Sequence, residues 1–71
     1  MTKDEYIEMV AFLLDCLRFF KQMEYKYRNT AIGISAKDTM LNTKDEIKRL
    51  TRSYKKDFGE SINIKIIEEL V

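Results

Sequence analysis

The chain has 71 residues, with 13 Lys and Arg against 12 Asp and Glu for a net charge of +1, no His, no Pro and a single Cys. One Cys cannot close an intramolecular disulfide, and without His the ordinary structural zinc sets cannot be assembled. The near-neutral balance also supplies no global electrostatic pull toward nucleic acid or membrane.

A chain this short buries only about 60% of the surface its unfolded form exposes. Its burial gain therefore nearly cancels the cost of ordering it. That balance points to oligomerisation or a partner as additional support. At 45% hydrophobic and 35% charged, the composition is that of a globular chain rather than a disordered one. The longest apolar run, Met9 to Leu14, is far short of the ~18 residues of a membrane span. Met1-Thr2-Lys3-Asp4-Glu5 is mixed in charge and lacks a cationic n-region, so no signal peptide is expected. A lone reduced cysteine suits a cytoplasmic protein.

Thr2-Lys3-Asp4-Glu5 has the form of a capping box, a hydroxyl N-cap with Glu three residues later. Neither Gly nor Pro interrupts the chain until Gly33, and Asn29-Thr30 is the first credible stop. The spacing predicts a first helix over about residues 3–28. Asp4, Glu8, Ala11, Asp15, Arg18, Gln22 and Lys26 share one arc of about 80°. Tyr6, Val10, Leu13, Leu14 and Leu17 form one apolar flank of the remaining surface, and Met9, Phe12, Cys16, Phe19, Phe20, Met23 and Tyr27 form the other. Together they cover about twice the ~100° that a surface helix turns toward its own core.

Residues 29–43 read as a connector that holds at most a helical turn, with Ser35-Ala36-Lys37-Asp38 as a capping pattern. A cleaner box at Thr43-Lys44-Asp45-Glu46 opens a second helix over about 44–58. Ile47, Leu50, Tyr54 and Phe58 form its narrow apolar stripe, and Gly59 is its natural stop. The tail, 61–71, fits a strand through the alternation of Ile62, Ile64 and Ile66. It fits better a short helix capped by Ser61 or Asn63 that buries Ile62, Ile66, Ile67 and Leu70. The expected fold is a mainly α, single small domain: a long N-terminal amphipathic helix packed on a second helix and a short C-terminal one, completed as a bundle by dimerisation.

Catalysis requires a nucleophile with its base, a metal cage or paired carboxylates in a pocket. The commonest general base and metal ligand is missing, so no enzyme activity, cofactor or metal is expected. Cys16 lies between Phe12 and Phe19 on an apolar face and reads as a small buried hydrophobe. Asp4, Glu8 and Asp15 share a face with Arg18 and Lys26, which marks a solvated charged face rather than a cation site.

One charge feature survives. Lys48, Arg49, Arg52, Lys55 and Lys56 are five cations within nine residues, opposite the apolar stripe of the second helix and beside Thr51 and Ser53. Residues 30–59 carry seven cations and four anions, whereas residues 60–71 carry one cation and three anions. Such a face suits an acidic protein surface or the phosphates of a nucleic acid.

A first helix of about 39 Å exceeds the ~30 Å body expected for 71 residues. Its excess apolar flank calls for another chain. Two copies packed antiparallel about a two-fold axis would place Phe12, Cys16, Phe19, Phe20 and Met23 near the seam. Val10, Leu13, Leu14 and Leu17 would then face Ile47, Leu50, Tyr54 and the tail isoleucines.

Small chains without catalytic residues are commonly regulators or inhibitors of larger proteins, the anti-defence proteins of phages and mobile elements among them. The expectation is therefore a non-enzymatic, homodimeric binding protein. A small nucleic-acid-binding regulator using the basic face, or a subunit of a larger assembly, are the alternatives.

Overall fold

The computed structural model describes residues 1–70, with Leu70 described by its backbone alone. The expected burial of Leu70 and the end of the tail at Val71 thus lie outside the described residues. The chain is mainly helical, with three helices and no strand among the described residues: α1 (Lys3–Lys26), α2 (Ala31–Phe58) and α3 (Ile64–Leu70). α1 opens as its sequence requires. The Glu5 N–H donates to Thr2 Oγ1 at 3.2 Å and the Thr2 N–H to Glu5 Oε1 at 2.9 Å. The helix ends at Lys26, two residues before the expected boundary, and Tyr27 to Thr30 form a tight turn. Asn29 takes a left-handed φ of 65°, a region that the short polar side chain of Asn tolerates better than most.

The expected connector 29–43 is helical from Ala31 onward, which merges it with the second helix. Thr30 caps the start: its hydroxyl accepts from the Gly33 N–H at 3.2 Å and donates to the Tyr27 carbonyl at 2.6 Å. Both motifs read as helix starts, Ser35–Asp38 and Thr43–Glu46, lie inside α2. Thr39 and Thr43 turn their hydroxyls back on the carbonyls of Ser35 and Thr39, at 2.9 and 2.7 Å. A threonine satisfied in this way need not terminate or initiate a helix. The buried stripe Ala36, Thr43, Ile47, Leu50, Tyr54 is continuous across the supposed boundary. It was masked in the sequence by one small and one polar residue.

α1 and α2 form an antiparallel hairpin whose core is Tyr6, Val10 and Leu14 against Ile47, Leu50 and Tyr54, closed by Ile67 of α3. Of the flank of α1 expected to face α2, Tyr6, Val10 and Leu14 are buried in this cluster and Leu13 is partly buried against it. Ala11, expected on the polar arc, also packs on it. Gly59 stops α2 in the left-handed region at φ 70°.

The tail is a helix, capped by Asn63, whose Oδ1 accepts from the Ile66 N–H at 3.1 Å. It buries Ile67 (3% exposed), but Ile66, expected inside, is 56% exposed. A seven-residue helix lying on a hairpin has room to bury only a narrow stripe. The Arg18 guanidinium holds α3 to α1 by donating to the Glu68 carbonyl at 2.8 Å.

The molecule measures 43 × 21 × 16 Å with a radius of gyration of 13.6 Å. A compact chain of this length would have a radius near 11 Å. Two long helices with one short cover leave the outer sides of both helices open.

Candidate interaction surfaces

Two surfaces stand out, one apolar and one basic. The apolar one runs along α1 on the side turned away from Val10 and Leu14. Phe12 is 64% exposed, Phe19 56% and Met9 43%, while Cys16, Phe20 and Met23 are half-buried. Phe19 and Phe20 stack edge to face with centroids 5.4 Å apart. Arg18, which holds α3, lies about 160° around the helix from Cys16. The cover that α3 provides is therefore on the opposite side of α1 from this flank.

At the turn end the flank continues into an open groove lined by Phe20, Met23, Ala31, Ile32, Ser35, Ala36 and Thr39. The only polar side chains lining it are the hydroxyls of Ser35 and Thr39, so it offers contact area rather than acid–base chemistry. Close packing of the turn on the first turn of α2 beside it depends on Gly33, where an added Cβ would collide with the Tyr27 carbonyl.

The basic surface is on the outer side of α2. Lys48, Arg52, Lys55 and Lys56 are exposed. Arg49 is exposed as well but paired: it is turned back one helical turn, and its Nε donates to Glu46 Oε2 at 3.1 Å in a pair with that carboxylate. The pairing holds Glu46 below the usual carboxylate range and raises Arg49. The Thr51 hydroxyl donates to the Lys48 carbonyl at 2.9 Å and is thus occupied by the helix itself.

Because α2 starts at Ala31, the face is longer than its sequence reading. On a continuous helix Ile34, Leu41, Lys48 and Lys55 recur every seven residues and share one arc. Ile34 and Leu41 are both exposed large hydrophobics, and Lys37 and Lys44 flank them. Their seven-residue spacing is the signal the sequence carries, and it shows only on a helix that runs unbroken through residues 31–58.

No family model, curated protein or solved structure matches this chain.

A third cluster lies at the open end of the hairpin. Tyr6 donates to Asp57 Oδ2 at 2.6 Å, Tyr54 donates to Glu60 Oε1 at 2.9 Å, and Lys3 pairs with the same Glu60 oxygen at 2.9 Å. Hydrogen bonding from Lys3 and then Tyr54 holds the Glu60 carboxyl below its ordinary range. Bonding to Asp57 and Glu60 raises the Tyr6 and Tyr54 phenols, respectively. Tyr6 and Phe58 meet edge to face at 5.9 Å and the Lys3 ammonium lies 5.4 Å from the Phe58 centroid. Every polar group here has its partner within the cluster, and both tyrosines are buried in the core. Its role is to fasten α1 to the end of α2.

Among the described residues, no group of three or more Cys, Asp or Glu side chains is placed to hold a metal ion, and no helix is long and apolar enough to cross a membrane.

Proposed function

We propose that this chain is a small non-enzymatic protein-binding regulator or inhibitor that works as a helical homodimer on a larger protein. The observation that carries the proposal is the exposed aromatic flank of α1, with Phe12 and Phe19 more than half open to solvent along a helix already packed on its other side. Apolar patches of this extent are uncommon on soluble monomers and mark interaction sites. The seam comprises Phe12, Cys16, Phe19, Phe20 and Met23. Pairing through α1 leaves the outer side of α2 free for the larger partner. Its exposed Lys48, Arg52, Lys55 and Lys56, with Arg49 in support, suit an acidic protein surface. The reading fits a cytoplasmic chain and includes the anti-defence proteins of phages and mobile elements among such small regulators.

Light scattering at micromolar concentration tests the dimer: the native chain is expected at twice its 8.5 kDa mass. Phe19→Asp is expected at the monomer mass with its helical circular dichroism retained. A native chain that remains monomeric overturns the proposal.

The four exposed cations also support a second reading, a nucleic-acid-binding regulator. Among the described residues the only ion pairs are Lys3–Glu60 and Arg49–Glu46, so no carboxylate neutralises Lys48, Arg52, Lys55 or Lys56. Against it, Ile34 and Leu41 on the same face have no use against phosphates. Mobility shift at two salt concentrations separates the readings, because phosphate contacts weaken steeply as salt rises. No shift at low salt removes the nucleic-acid reading.

A further inference from the structure

From the charge distribution along α1 we infer that two copies pair antiparallel through this helix, with the two-fold axis passing beside Cys16 and with Glu8 of each copy meeting Lys26 of the other. The inference rests on the homodimer reading above and specifies its geometry.

Three observations carry it. Within α1, which ends at Lys26 and leaves Tyr27 to the turn, the flank extends from Met9 to Met23, and its midpoint is residue 16. Around the helix, Cys16 also falls near the centre of the flank, between Phe12 and Met23 on one side and Met9 and Phe20 on the other. A two-fold axis that buries the whole flank symmetrically must therefore cross α1 close to Cys16.

Charge then selects the direction. Along the edge of the flank, Glu8 and Asp15 lie before Cys16 and Lys26 lies after it. Parallel pairing sets acidic half beside acidic half and basic beside basic. Antiparallel pairing sets each acidic half against a basic half. Glu8 and Lys26 lie on the same edge of the flank, 18 residues or five full turns apart. In the antiparallel arrangement about residue 16 they come level across the seam to within about 3 Å along the axis.

The packing agrees with this register. Met9 of one copy comes level with Met23 of the other along the axis, and Phe12 level with Phe20. Helix axes ~10 Å apart leave facing Cα atoms about 5 Å apart at closest approach. That separation suits a disulfide between the two Cys16 residues.

Cysteine cross-linking tests the geometry. Diamide accepts the two thiol hydrogens and is itself reduced as the S–S bond forms. It is expected to convert the native dimer into a covalent one, and Cys16→Ser is expected to abolish this. In the Cys16→Ser background, Met9→Cys alone is not expected to cross-link, since its two copies lie about 21 Å apart. Mixed with a Met23→Cys, Cys16→Ser chain it is expected to cross-link. Glu8→Lys is expected to weaken dimerisation about 2- to 30-fold, the range for two exposed ion pairs, and adding Lys26→Glu is expected to restore it. A dimer mass without Cys16 cross-linking, or with Met9→Cys cross-linking to itself, overturns the antiparallel seam while leaving the homodimer intact. A monomeric native chain overturns both.

Discussion

The two ends of the hairpin are built on opposite plans. At the end where α1 begins and α2 stops, large side chains are inside: Tyr6, Val10, Leu14, Ile47, Leu50 and Tyr54 are buried together and Ile67 closes the layer. A polar clasp of Tyr6–Asp57 and Tyr54–Glu60–Lys3 seals its rim. Toward the turn, the buried residues of α2 are Gly33, Ala36 and Thr43, while Phe19, Ile32, Ile34 and Leu41 remain outside. Small residues let two helices approach closely, but they cannot absorb large apolar neighbours. One end is thus a self-contained core and the other a scaffold that displays its hydrophobic side chains outward. Stability and interaction are divided along the length of a single hairpin.

The most severe way to break this division is to remove the core at the clasped end. Leu50→Ala is expected to lose about 2–5 kcal/mol of unfolding free energy in chemical denaturation. Phe19→Ala, made at the displaying end and measured at concentrations too low for association, is expected to change it by less than about 1 kcal/mol. Equal losses at the two sites would erase the distinction.

A smaller effect is expected at the turn. Gly33→Ala gains up to about 1 kcal/mol of helix propensity. It nevertheless pushes a methyl group into the Tyr27 carbonyl, so net destabilisation of about 1–3 kcal/mol is expected, read as a lower Tm. A neutral or higher Tm would show that the close approach of turn and helix is dispensable.

The mildest perturbation is pH, which acts on the clasp. A carboxylate whose pKa is depressed on folding stabilises the fold above its unfolded pKa and loses that contribution as pH falls through the folded value. Glu60, held low by Lys3 and Tyr54, and Glu5, held low by the Thr2 N–H and hydroxyl, both behave in this way. Unfolding temperature is therefore expected to decline below about pH 4.3. The Tyr6 and Tyr54 phenols are raised and so stabilise as neutral donors; their contribution is lost as pH climbs above about 10. Glu60→Gln is expected to flatten the acid limb, since it removes the titrating group without removing the residue.

The sequence by itself determined the helices with local start and stop signals. Thr2 and Glu5 specify the start of α1 through bonds three residues apart, and Gly59 specifies the end of α2 through its tolerance of positive φ. It also separated the two apolar flanks of α1, because 3.6-residue periodicity is a property of the chain alone. The five cations of α2 were visible by composition, although their extension to Lys37 and Lys44 and their company with Ile34 and Leu41 were not.

Only the tertiary structure decided what happens where local signals compete. Thr43–Glu46 has the chemistry of a helix start, yet packing against α1 makes one continuous helix from Ala31, and the hydroxyl expected to cap it bonds backward to Thr39. Asn63 and Ile67 settle the tail as a helix because α1 offers it a face to bury against, which no isolated 10-residue segment can specify. The structure also showed which flank of α1 is covered. Both flanks are apolar in sequence, and only the placement of α2 and α3 leaves Phe12, Cys16, Phe19, Phe20 and Met23 on the uncovered one, with Phe12 and Phe19 open to solvent. Local bonding rules act within a turn of helix; burial depends on residues tens of positions away, and that information exists only once the chain has folded.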